Sequence, residues 1–109
     1  MQRAPFSLRT EQQDGLAYLR IGGDFERASA NRVQAVLATV RGESVGRIVF
    51  DLSGVTFLDS AALRTILGAE SRGRQEGFEV VVVRPPPLAA RVFTLSRAGE
   101  HLTLVNHRR

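Results

Sequence analysis

The stretch Asp51-Leu-Ser-Gly-Val-Thr-Phe-Leu-Asp-Ser-Ala-Ala-Leu63 joins a buried strand to a helix and says most about the fold and function of this chain. The apolar run Ile48-Val49-Phe50 predicts the end of a buried strand, and apolar residues from Leu63 onward recur at helical spacing. Ser60 therefore falls at a helix N-terminus, where backbone N–H groups without partners attract a side-chain oxygen or a phosphate. A serine there can cap the helix, accept a phosphoryl group, or do both in turn.

The residues before this stretch predict a hairpin and then a helix. Extended segments over 6–10 and 16–21 flank the turn signal Asp14-Gly15, which favours an antiparallel pair. Gly22-Gly23 should end the second strand, and an acidic connection follows. Ser29 is the expected N-cap of the first helix. The apolar face of that helix is predicted to carry Val33, Val36, Leu37 and Val40. Gly42 is expected to end the helix.

The residues after residue 46 predict alternating strands and helices. Strands are expected over 47–52, 78–83 and 102–105, and a helix is expected over 60–76, closed by Gly77. A triple proline, Pro85–Pro87, should open a third helix that Gly99 ends. The inner side of that helix is predicted to carry Leu88, Val92 and Leu95.

This order of elements predicts an α/β fold in one domain. The N-terminal hairpin is antiparallel, whereas strand–helix–strand units give right-handed parallel crossovers. We therefore expect a mixed β-sheet packed with about three to four helices, in a single domain over 1–109 with its core at about 6–105.

The amino-acid composition argues against some classes of function. The chain has no cysteine, and no apolar run approaches the roughly 20 residues that a membrane-spanning helix needs. A cytoplasmic protein without membrane insertion is therefore expected. The 15 basic residues are all arginine and are scattered, so the net charge of +4 does not indicate direct nucleic-acid binding.

The sequence offers little evidence for a catalytic site or a cofactor-binding site. His101 and His107 lack metal-ligand spacing, and no base is evident that would activate Ser60 as a nucleophile. We therefore expect no cofactor and no enzymatic activity, and we interpret Ser60 as a substrate of another enzyme.

With these patterns the chain resembles the STAS domain, in particular the bacterial anti-sigma factor antagonists, over about residues 6–105. The most specific part is Asp51–Ser60, where a strand leads through Phe-x-Asp-Ser into a helix. Gly23-Asp24-Phe25-Glu26 with Ser29-Ala30 is similar to a second family signature. The segment Pro87–Gly99 is similar to the last helix of the family.

The resemblance implies partner switching controlled by phosphorylation at Ser60. An unphosphorylated antagonist binds an anti-sigma factor that is also a serine kinase and so frees a sigma factor. Phosphorylation by that kinase releases the antagonist, and a phosphatase resets it. The partner-binding residues that the resemblance implies are Asp24, Glu26, Asp51, Asp59, Ser60, Ala61 and Ala62.

Some residues depart from the family pattern or have a simpler structural interpretation, so alternatives to the roles that the resemblance implies stay open. Ala62 stands where the family commonly has glycine, and its methyl group could obstruct a backbone approaching Ser60. Asp24 and Glu26 swap the usual order of acids and could be solvated loop residues, while Asp51 could simply cap a turn. Asp59 could be the helix cap. The alternative function is an unphosphorylated STAS adaptor subunit of a lipid-transport ATPase or of a sensory assembly.

Overall fold

The computed structural model describes residues 4–40 and 44–106. Within these ranges five strands alternate with three α-helices in the order that the sequence predicts, and a short 3₁₀ helix follows the last of them. The elements are β1 (Ser7–Gln13), β2 (Leu16–Phe25), α1 (Arg27–Leu37), β3 (Arg47–Leu58), α2 (Ser60–Glu76), β4 (Glu79–Val83), α3 (Pro87–Ser96), the 3₁₀ helix (Ala98–Glu100) and β5 (Thr103–Val105).

The strands form one mixed sheet in the order β1-β2-β3-β4-β5, with β1 antiparallel to β2 and all other neighbours parallel. Each parallel crossover advances by one strand in the same direction, so the right-handed rule places α1, α2 and α3 on one face of the sheet. Burial agrees, because Ala17, Leu19 and Ile21 of β2 are buried, whereas Leu16 and Arg20, which point to the other face, are exposed. The mixed α/β fold is therefore confirmed.

The predicted hairpin turn is confirmed, but β2 and β3 are longer than predicted. Asp14 and Gly15 take φ values of 53° and 80°, as a two-residue turn of type I′ requires. The prediction that Gly22-Gly23 ends β2 is wrong. Irregularities in pairing on either side of these glycines let β2 stay paired with β3 as far as Phe25. A side chain at Gly23 would collide with the carbonyl oxygen of Pro5, 1.9 Å away, so glycine lets the chain pass closely there.

The first helix begins earlier than the sequence predicts. Glu26 is the N-cap of α1, so the prediction that Ser29 is the cap is wrong. Ser29 is the third helical residue, and its hydroxyl accepts a hydrogen bond from the Glu26 N–H at 3.0 Å. The predicted end at Gly42 lies outside the described residues, and α1 itself ends at Leu37. The second helix has the predicted bounds, with Gly77 at φ 88° after its end.

The inner face predicted for the third helix is wrong at Leu88 and Leu95, whereas Val92 is half-buried and packs against the core. Ala89 and Phe93 are the buried residues of α3, whereas Leu88 and Leu95 are 80% and 77% exposed. The small Ala89 side chain lets the helix lie close to the sheet, and Phe93, one turn later, fills the space beneath it. Nor does Gly99 end this helix, because Arg97 at φ 61° turns the chain first. Among the described residues, none of the helices is long and apolar enough to span a bilayer.

Candidate functional site

The candidate site lies at the edge of the sheet where β2 and β3 end side by side. Asp24 pairs with Phe57, and Phe25 pairs with Leu58. Each strand is followed at once by a helix, so α1 and α2 begin at the same edge. The parallel register therefore brings the Asp24–Glu26 segment next to the residues that lead into Ser60.

The carboxylate of Asp59 holds the two helix N-termini together. Its Oδ1 accepts a hydrogen bond from the Ala62 N–H at 2.9 Å, and its Oδ2 accepts one from the Arg27 N–H at 3.1 Å. Asp59 is thus the N-cap of α2 and also satisfies a donor in the first turn of α1. Sequence reasoning foresaw a capping role for Asp59 but not its bond to the second helix.

Ser60 is the first residue of α2, and it is exposed. Because Asp59 supplies the cap, the hydroxyl of Ser60 is not needed for capping. An exposed hydroxyl at the positive end of a helix is accessible to a kinase, and the helix dipole favours the negative charge that a phosphate would add.

Two acids flank the site from the β2 side. A carboxylate oxygen of Asp24 accepts a hydrogen bond from the Thr56 hydroxyl at 3.4 Å, which joins β2 to β3 at this edge. The Ser29 hydroxyl lies within hydrogen-bond distance of the backbone of both Asp24 and Glu26, so this acidic turn is held in place. The two acids are half-buried and add negative charge near Ser60.

Asp51 lies deeper, on the sheet face opposite the helices, and is 2% exposed. Its carboxylate accepts hydrogen bonds from the Tyr18 hydroxyl, from the Ser53 N–H at 3.0 Å and from the Ser53 hydroxyl at 2.7 Å, and Arg20 lies 3.5 Å away. Burial raises the pKa of Asp51, but these hydrogen bonds and the Arg20 charge lower it by more, so the net pKa lies below the usual aspartate value. Tyr18 and Arg20 gave no signal in the sequence that would identify them as its partners.

The two alanines after Ser60 differ in exposure. Ala61 is half-buried, and Ala62 is fully buried. The Ala62 methyl group therefore points into the core and away from the surface around Ser60. It cannot obstruct a protein that approaches the hydroxyl from solvent.

Asp59→Ala should lower the free energy of unfolding by about 1–3 kcal/mol, because two backbone donors lose their partner and each helix cap contributes about 1 kcal/mol. Asp59→Asn keeps one acceptor oxygen and should recover about half of the loss. Thermal and urea unfolding measure both variants. An alanine variant as stable as the wild type would contradict the capping role.

A groove near Ser60 was missed by sequence reasoning. It lies between α3 and the end of β3, has a volume of about 570 Å³, and is walled mainly by Phe57, Leu58, Leu88, Val92 and Leu95. The i, i+4, i+7 spacing of its helical residues is visible in the sequence, but by itself it predicts that this row faces the core. The larger Phe93 was the signal for the correct face.

The part of the chain that the structure describes contains no group of three or more histidine, cysteine, aspartate or glutamate side chains that could hold a metal ion.

Comparisons with known proteins agree with this geometry. The family model described as "Mlab, STAS domain" matches residues 8–106. BtrV of Bordetella bronchiseptica, named as an anti-sigma factor antagonist, is 29% identical over 89 residues, which are 82% of this chain and 77% of BtrV.

Solved structures share the fold. An anti-sigma factor antagonist from Mycobacterium paratuberculosis superposes with a TM-score of 0.78 at 24% identity, covering 94% of this chain and 87% of that one. The antagonist SpoIIAA in its unphosphorylated form gives 0.79 at 17% identity, covering 93% and 90%. SpoIIAA of Bacillus in its phosphorylated form gives 0.72 at 17%, covering 93% of each chain. With the family model covering almost the whole described chain, this protein belongs to the STAS domain family.

Proposed function

We propose that this protein is an anti-sigma factor antagonist that binds an anti-sigma factor serine kinase while unphosphorylated and is switched off by phosphorylation of Ser60. The observation that carries the proposal is the exposed Ser60 at the start of α2, with Asp59 providing the cap. The likeness to BtrV, which is named as an anti-sigma factor antagonist, supports it. The protein then acts by binding, as the substrate of a kinase rather than as a catalyst, in the cytoplasm where sigma factors work.

The proposed partner surface consists of the accessible part of the predicted residues. Ser60 is exposed, and Asp24, Glu26, Asp59 and Ala61 are partly so. The side chains of Asp51 and Ala62 are buried, so they support the partner surface without contacting the partner. Asp51 anchors β3 ahead of the site, and Ala62 fixes the first turn of α2 in the core.

A displacement assay tests the proposal. Each anti-sigma factor kinase of the source genome is purified with its sigma factor, and this protein is added without ATP. We expect one kinase to release its sigma factor, and ATP should then reverse the release and phosphorylate the Ser60 peptide, as mass spectrometry would show. A Ser60→Ala variant should release the sigma factor and resist reversal. Release by none of the kinases would rule the function out.

The alternative function is an unphosphorylated adaptor, and Ala62, which stands two positions after Ser60 where the family commonly has glycine, does not decide between the two functions because its side chain is buried. An adaptor that holds a transport ATPase or a sensory assembly together would bind without regard to ATP. Its complex would form equally with wild-type protein and with Ser60→Ala. The reversal step of the same assay therefore separates the two functions.

A further inference from the structure

Large apolar side chains are exposed in one place next to the candidate site. Of the five exposed large apolar residues in the described ranges, Phe57, Leu88 and Leu95 line the groove between α3 and β3. A leucine that is about 80% exposed adds almost nothing to the stability of the fold, because it removes little apolar surface from water. Clustered exposure of this kind is typical of a protein interaction site.

The groove has a regular, rigid geometry. Leu88, Val92 and Leu95 lie at i, i+4 and i+7 on one face of α3, so the row extends over two turns, about 10 Å. Ala89 and Phe93, on the adjacent face about 100° further round the helix, are buried and fix α3 in the core. A rigid apolar row opposite a second apolar wall is the arrangement that receives an amphipathic helix.

The groove is continuous with the surface around Ser60. Phe57 and Leu58 form its β3 wall, and the chain passes directly from them through Asp59 to Ser60. A protein that covers Ser60 therefore comes within reach of the groove. Arg91 also lines the groove, and its positive charge favours an acidic side chain on the occupant.

We propose that this groove receives the apolar face of an amphipathic helix of the anti-sigma factor, with an acidic residue of that helix beside Arg91. The inference rests on the proposed function and deepens it, because it assigns the surface that holds the kinase while Ser60 is presented to it. The groove touches neither the hydroxyl nor ATP. It contributes binding energy equally before and during phosphoryl transfer, and such uniform binding lowers KM and leaves kcat unchanged.

The test uses Leu88→Gln combined with Leu95→Gln, which keeps helix-forming residues of similar length on exposed positions. Calorimetry with the kinase identified by the displacement assay should show affinity lower by about 100-fold or more, since each buried leucine contributes about 10–100-fold. The KM for phosphorylation of Ser60 should rise by a similar factor at unchanged kcat. The thermal midpoint should stay close to that of the wild type. Leu16→Gln, an exposed leucine on the other face of the sheet, should bind normally.

Two results would overturn the groove proposal while leaving the proposed function standing. One is normal binding of the kinase by the double variant. The other is self-association of the wild type that the double variant abolishes in sedimentation, which would make a second copy of the chain the occupant. Failure of every kinase to bind the wild type would overturn the proposed function and the groove proposal together.

Discussion

Asp51→Ala is expected to lower the free energy of unfolding by about 2–4 kcal/mol, which corresponds to a fall of about 10–20 °C in the thermal midpoint of a domain of this size. The reason is the environment of the carboxylate, which is 2% exposed and accepts hydrogen bonds from Tyr18 and Ser53. Alanine leaves the Tyr18 hydroxyl and the Ser53 N–H without that acceptor. The ion pair with Arg20 contributes little, because the Arg20 side chain is 62% exposed and its charge is well hydrated.

A double-mutant cycle isolates the central bond. Tyr18→Phe alone should cost about 1–3 kcal/mol, because it removes one hydrogen bond to a charged group. The double variant Asp51→Ala, Tyr18→Phe should cost less than the sum of the single losses, because both remove the same bond. Chemical unfolding of the four proteins measures the coupling. Strictly additive losses would show that the Tyr18–Asp51 bond does not stabilise the fold.

The same carboxylate predicts a response to acid. The pKa of Asp51 is lower in the folded protein than in the unfolded chain, where it is about 3.9. The carboxylate therefore contributes fully to the free energy of unfolding above the unfolded pKa, and this contribution is lost as pH falls through the folded pKa. Burial and the Asp51 carboxylate raise the pKa of Tyr18 in the folded protein. Its hydroxyl therefore contributes fully to the free energy of unfolding below the unfolded pKa of about 10, and this contribution is lost as pH rises through the higher folded pKa. Asp51→Asn should flatten the acid part of a stability–pH profile measured against the wild type.

Local patterns predicted the elements well where they agree with the tertiary environment. The apolar periodicity of α2 and the glycine after it gave the bounds of that helix, Ser60–Glu76, because the core lies on the side that the periodicity indicates. The Asp14-Gly15 turn was equally local, since its backbone conformation depends on the two turn residues themselves. Phe-x-Asp-Ser placed the serine correctly at the helix start.

The errors arose where the neighbouring strand or the sheet decides the outcome. Gly22-Gly23 is a turn signal in isolation, but pairing with β3 keeps it in the sheet. In α3 two apolar rows compete for the core. Ala89 and Phe93 take it, because a small residue allows close approach and an aromatic ring fills the remaining space. The bond between Tyr18 and Asp51 joins residues 33 positions apart, which no local pattern encodes, whereas the Ser53 bonds to Asp51 are local and fit the predicted turn role.

Phosphorylation of Ser60 is expected to weaken binding of the anti-sigma factor by a few hundred-fold. The phosphate adds about 1.5–2 negative charges to a surface that already carries Asp24, Glu26 and Asp59. The helix N-terminus offsets only about 0.3–1 kcal/mol. Covering the dianion with a protein surface that lacks cations costs several kcal/mol, and a net 3–4 kcal/mol corresponds to a few hundred-fold in affinity.

Protein carrying phosphoserine at position 60, made by genetic encoding, separates this effect from the activity of the kinase. Calorimetry should give the full loss for phosphoserine and a smaller loss, about tenfold or more, for Ser60→Asp, whose single charge is closer to the backbone. Gln75→Glu adds a charge near the far end of the same helix, about 22 Å away along its axis, and should bind like the wild type. Because the phosphate acts by charge and desolvation at the contact itself, the fold of this protein need not change. Equal affinity of the phosphorylated and unphosphorylated forms would show that Ser60 does not control binding, whatever modifies it.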